Sequence, residues 1–281
     1  MPSPAPAPPR GGTVLAGALS PLTADLVRGP RRPLVVLGVH RAGAYLGAHD
    51  RVLPVLGREA LALPGALLLA GPGPLPDLGV SAGDVVVVGG GAVRFPTVVV
   101  RGVRTWRPAR VRRGVASAVP PGSAVDDLLH AATPSTPAWL TDAVRAALAG
   151  QVDAVARLVG RGPGLTPSGD DALAAALLAR RALGMLAPSC APDAPDPLVT
   201  AVRDRLHATT AVSASLLSSA VDGWATPEVV TLVEAAARGD AAAVSAALPP
   251  VLAVGHTSGA DLVAGLRTAL VTLAPSGRTA A

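Results

Sequence analysis

Gly164-Leu165-Thr166-Pro167-Ser168-Gly169-Asp170-Asp171 runs directly into the apolar stretch Ala172 to Leu178. The phrase returns as Gly255-His256-Thr257-Ser258-Gly259-Ala260-Asp261, ahead of Leu262-Val263-Ala264-Gly265-Leu266. With Pro167 dropped, both copies read Gly-x-Thr-Ser-Gly-x-Asp, and Ser258 stands ninety positions after Ser168. A glycine loop, hydroxyls and a carboxylate before an apolar run mark a helix start. The first copy therefore predicts a helix over about Ser168 to Met185, and the second predicts one over Ser258 to Leu273. Free N–H groups and the helix dipole at such starts favour a bound anion. Two of them in one chain point to a shared site.

Working outward, helical spacing extends back to about Ser123. Ser123 is an N-cap for Ala124 to Ala131, and Thr136-Pro137 opens the next helix, with Val152 to Leu158 after it. Further helices are expected over Leu198 to Ser219, Pro227 to Arg238 and Asp240 to Leu248, with Ala187 to Pro197 as a proline-rich linker. Before residue 118 the texture changes to short valine-rich runs. Leu34 to Val39, Asp84 to Val88 and Arg94 to Val100 read as strands, and Gly89-Gly90-Gly91 turns between the last two. Gly11 to Val27 begins with either a strand or a helix. The expected class is α+β: a small β-barrel or sandwich-like domain over residues 11–118 and a mainly helical domain over residues 119–275. The proline-rich residues 1–10 read as a disordered leader without the features of a secretory signal.

Composition narrows the function classes. The 281 residues include no Lys, Asn or Ile, a bias that a GC-rich coding sequence produces, so the high pI says little about function. A net charge of +5 is mild for this length. Aromatics at 2% are too few for nucleic-acid stacking platforms, although Arg107, Arg110, Arg112 and Arg113 cluster. A small anionic substrate suits this balance better than nucleic acid. The single cysteine, Cys190, excludes an internal disulfide and a cysteine-based zinc site. Charged residues and His256 interrupt the longest apolar runs, so no membrane span is expected and a cytoplasmic location is.

A lone Ser-Gly-Asp start is more often a cap than a ligand site. Here the polar groups exceed what a cap needs: Thr166, Ser168, Asp170 and Asp171 in one copy, and His256, Thr257, Ser258 and Asp261 in the other. Between the copies lie His207, Thr209, Thr210, Ser213 and Ser215. Helical spacing would put Thr209, Ser213 and Leu216 on one face, although Ser and Thr also pack in Ala-rich helices by bonding the backbone behind them.

The first phrase, the intervening Thr-Thr-x-x-Ser and the later Gly-His-Thr-Ser-Gly-x-Asp together resemble the AllH-type family, whose named member is a subunit of oxamate carbamoyltransferase. The resemblance covers the C-terminal half, with Ala175 where the family pattern implies a glycine. It implies an enzyme of several subunits in anaerobic allantoin breakdown. Phosphate would attack the carbamoyl carbon of oxalurate, giving carbamoyl phosphate and oxamate. Gly164, Thr166, Ser168, Gly169, Asp170, Thr209, Thr210, Ser213, Thr257, Ser258 and Gly259 would bind substrate, with His256 as proton carrier. Asp171 and Asp261 would orient His256 or hold a divalent cation. The Ser-Thr-Arg-Thr phosphate motif of familiar carbamoyltransferases is missing, so the chemistry would follow another route or lie on a partner subunit.

Two other readings stand beside this one. One is a stand-alone Mg-dependent enzyme acting on a phosphorylated or carboxylate substrate, with Asp170, Asp171 and Asp261 as ligands. The other is a non-catalytic regulatory or assembly subunit, in which the motifs only cap and pack.

Overall fold

A computed structural model describes residues 13–71, 75–115, 119–185 and 196–274. The leader expected over residues 1–10, Cys190 and most of the linker after Ala187 lie outside the described residues. The chain forms two compact units that divide between Pro108 and Ala109.

The first unit is a closed eight-stranded barrel. Its strands are β1 (Thr13–Leu19), β2 (Arg32–His40), β3 (Gly43–Ala48), β4 (Arg51–Leu56), β5 (Leu67–Leu69), β6 (Val85–Gly89), β7 (Ala92–Arg94) and β8 (Val98–Thr105). A short helix, α1 (Ala24–Arg28), follows β1, so Gly11 to Val27 holds both a strand and a helix. Neighbours pair antiparallel except β1 with β8 and β4 with β5, which run parallel. The β1–β8 pairing closes the barrel and removes its free edges. Alternation along the strands sends Leu34, Val36, Leu46, Val55, Leu67, Val88 and Val100 inward. An eight-stranded barrel is narrow enough for such side chains to fill.

Arg94 to Val100, expected as one strand, is two. Pro96 has no N–H for a ladder, and Phe95 N–H donates to Val98 O at 2.9 Å, turning the chain between β7 and β8. The turn expected at Gly89-Gly90-Gly91 is present, and all three residues have positive φ, which glycine adopts without steric cost.

The second unit is helical: α2 (Ala124–Ala131), α3 (Ala138–Leu148), α4 (Ser168–Ala182), α5 (Pro197–Arg205), α6 (Ala211–Val221), α7 (Pro227–Ala237), α8 (Ala241–Leu252) and α9 (Ser258–Leu273). Val152–Arg157 forms a 3-10 helix. A two-residue strand, β9 (Ala109–Arg110), pairs with β10 (Trp224–Ala225). Val111 N–H then donates to Gly223 O and Val115 N–H to Ala182 O, so residues 109–115 are fastened to the helical unit.

Helix α4 is buried on nearly every side along its apolar middle, Ala172 to Ala179. It packs closely against α9: a Cβ added at Gly265 would lie 2.1 Å from Ala172 O. Three expectations change here. The segment expected as one helix over Leu198 to Ser219 breaks at Thr209, whose backbone is extended, and α6 restarts with Thr210 as its N-cap. Helix α8 runs past the expected end at Leu248 through Pro249 and Pro250, because Val251 beyond them is buried in the core. Helix α4 ends at Ala182, three residues short of Met185.

Candidate functional site at the paired helix starts

The two phrases meet. Thr166 Oγ1 of the first copy lies 2.9 Å from Ser258 Oγ of the second, in a hydroxyl pair that either side can donate. Helices α4 and α9 start at the same place in each phrase, Ser168 and Ser258, and both starts lie on one side of the Ala172–Gly265 crossing.

Neither phrase caps its own helix with a side chain. Pro167 and Thr257 hold the two N-cap positions, and neither offers a side-chain hydrogen bond there. Five other helices carry a side-chain cap, Ser123 on α2, Asp196 on α5, Thr210 on α6, Thr226 on α7 and Asp240 on α8, while α1 and α3 do not. The hydroxyls and carboxylates of the phrases are therefore turned to other work.

The glycine N–H groups, expected to face an anion, are spent within the chain. Gly169 N–H donates to Arg161 O at 2.9 Å and Gly259 N–H to Val254 O at 3.0 Å. Both glycines serve close packing: an added Cβ would meet Leu158 O at 2.0 Å or Val251 O at 2.2 Å. The last turn of α8 thus seats the second phrase, as the 3-10 segment seats the first.

Asp170 is a structural clamp. It is 1% exposed; Oδ1 accepts Gly160 N–H at 2.9 Å, while Oδ2 accepts the Ser213 hydroxyl at 2.7 Å and also the Thr209 hydroxyl. Thr210 donates to Leu165 O and caps α6, so the intervening Thr-Thr-x-x-Ser is tied to the first phrase. The break at Thr209 makes this possible, because it lets Thr209 and Ser213 converge on one carboxylate oxygen. Gly160 and Arg161 complete the clamp. They lie just upstream of the quoted phrase, and their one sequence signal is the arginine between two glycines. Arg161 also lies over the Trp139 ring, 3.9 Å from its centroid.

Asp171 and Asp261 are different. They are 8% and 9% exposed, and the Oδ2 of each is buried without a hydrogen-bond partner. Burial pushes the Asp171 carboxyl up to about 8, and the nearby Asp261 and Asp170 charges push the same way. The Ser258 and Thr166 hydroxyls pull against that shift by bonding the charged form. At neutral pH Asp171 is therefore mostly a neutral acid, able to donate.

Of the remaining expected residues, Ser168 is half-buried, and Gly164, His256 and Thr257 are exposed. The chain thus brings together two buried carboxyls with spare oxygens, bridged hydroxyls and two helix starts. Such a set can hold a small polar molecule through both donors and acceptors. Among the described residues no group of three His, Cys, Asp or Glu side chains assembles for a metal ion.

Residues 158–270 match the family model for oxamate carbamoyltransferase subunit AllH. The resemblance carried by the three motifs is borne out over this segment, which includes both phrases and the Thr-Thr-x-x-Ser between them. No solved structure matches the chain. No helix among the described residues is long and apolar enough to cross a membrane.

Proposed function

We propose that this chain is a subunit of an oxamate carbamoyltransferase-like enzyme that holds a small anionic substrate at the paired phrases. The reading is supported by the AllH match over residues 158–270 together with one observation, the 2.9 Å contact that joins Thr166 to Ser258. In the catabolic direction a phosphate oxygen bonds to the carbamoyl carbon of oxalurate. The bond from that carbon to the leaving nitrogen breaks, and the nitrogen takes a proton to give oxamate.

Thr166, Ser168, Thr257 and Ser258 supply hydroxyl donors to the anionic ends, and the positive ends of the α4 and α9 dipoles reinforce them. His256, exposed on the second loop, is the proton carrier for the leaving nitrogen. Asp170, Thr209 and Ser213 act through position, by holding the first phrase in place. Other subunits complete the enzyme, and the pathway served is cytoplasmic allantoin breakdown.

The test is reconstitution with the subunits encoded beside this chain, followed by assay of carbamoyl phosphate formed from oxalurate and phosphate. Turnover that disappears with Thr166→Val/Ser258→Ala supports the reading. Full turnover without this chain, or with that double variant in a folded complex, overturns it.

A further inference from the structure

The proposed function leaves the spare oxygens of Asp171 and Asp261 unused. Both carboxyls are more than nine-tenths buried, both stand four residues into their helix, and both leave Oδ2 without a partner. A buried polar atom without a partner costs free energy, so a chain that keeps two at equivalent positions keeps them for something that arrives. An anionic group does not suit the pair, since carboxylate oxygens repel it. A group carrying N–H donors beside a carbonyl does: one carboxyl accepts an N–H, while a protonated carboxyl donates to the carbonyl oxygen.

We propose that Asp171 and Asp261 form the receptor for the carbamoyl end of the substrate, Asp171 donating to its carbonyl oxygen and Asp261 accepting from its nitrogen. The inference rests on the carbamoyltransferase reading and assigns the two ends of the substrate to different groups. The hydroxyls and helix dipoles take the anionic end, and the carboxyl pair takes the uncharged end. A hydrogen bond from Asp171 to the carbamoyl oxygen also strengthens as phosphate attacks and negative charge gathers there. The site would thereby favour carbamoyl compounds over anions of equal charge and shape.

Oxalurate and N-acetyloxamate test this, because they differ only in the carbamoyl nitrogen against a methyl carbon. Calorimetric titration of the full-length chain in EDTA should show oxalurate binding at least ~10-fold more tightly than N-acetyloxamate, the scale of one buried acceptor left unpaired. Asp171→Leu and Asp261→Leu, which keep the shape but cannot hydrogen-bond, should abolish that preference. Asp171→Asn, which keeps a donor, should retain it. Equal affinity of the wild-type chain for oxalurate and N-acetyloxamate overturns the receptor and leaves the paired-loop reading standing. This comparison needs no variant to fold. Binding of neither ligand overturns both. Oxalurate binding that needs Mg2+ assigns the carboxyls to a cation and overturns the receptor as well.

Discussion

Thr166 Oγ1 and Ser258 Oγ, ninety-two positions apart in the chain, share a hydrogen bond at 2.9 Å beside the buried carboxyl of Asp171. This contact joins two distant copies of one phrase. It is also a measurable link. Thr166→Val and Ser258→Ala should each lower stability by about 1 kcal/mol, and the double variant should cost less than the two together. Additive losses in a denaturant double-mutant cycle would show that the loops are not coupled there.

Gly169 and Gly259 should tolerate no side chain. Gly169→Ala and Gly259→Ala would drive a methyl into Leu158 O and Val251 O, contacts that start at 2.0 and 2.2 Å. Backbone cannot yield as a side-chain tip can, so each variant should lose about 3 kcal/mol or fail to fold. Gly164→Ala is the comparison: nothing crowds it, and only its φ of +89° resists a side chain. It should lose about 1 kcal/mol. Equal melting temperatures for Gly164→Ala and Gly169→Ala would contradict this packing account.

Asp170 and Asp171 are neighbours with opposite expectations. Asp170→Ala strands Gly160 N–H and the Thr209 and Ser213 hydroxyls, and should cost on the order of 3 kcal/mol. Asp171→Asn gives up a carboxyl with an unpartnered oxygen, and should be neutral or stabilising near pH 8. Thermal melts of the two variants side by side decide it; a more stable Asp170→Ala would remove the clamp.

Asp171 should also shape the pH dependence of stability. Its folded pKa, about 8, lies above the ordinary 3.8, so the folded state binds a proton that the unfolded state has released. The stability carried by that proton is fully present below pH 3.8 and is lost as the pH rises through about 8. Within the window the slope is at most ~1.4 kcal/mol per pH unit. Asp171→Asn removes the ionisation, so the variant's advantage over the wild type should widen from about pH 5 to pH 8 and then level off. A constant difference across that range would place the Asp171 carboxyl in the ordinary range.

His256 is exposed, so its removal should leave folding almost untouched, within about 0.5 kcal/mol. As proton carrier it should matter for turnover, and His256→Gln in the reconstituted enzyme should lose ~10²–10⁴-fold in rate. Full activity of that variant would remove His256 from the mechanism.

Local signals were legible because their physics is local. Ser123 before Ala124 and Pro227 after Thr226 declare their helices through caps, and Ser258 to Leu273 through an apolar run that a short window contains. The doubling of the phrase likewise pointed to two helix starts that meet, as Thr166 and Ser258 do. Arg94 to Val100 misled because a run of β-formers hides the turn at Pro96, which only the β7–β8 pairing exposes. Thr209 misled because helical period cannot register a single extended residue.

By itself, then, the sequence determined two units of different texture, a pair of related helix starts, and the polar residues gathered at them. Tertiary structure alone decided that the strands close through parallel β1–β8 pairing, and that the glycine N–H groups are spent on Arg161 and Val254. It also separated three similar aspartates, one clamped by distant hydroxyls and two buried with an oxygen to spare. The physical reason is that a residue type states what a group can bond, while its partners and its access to water come from segments far away in the chain.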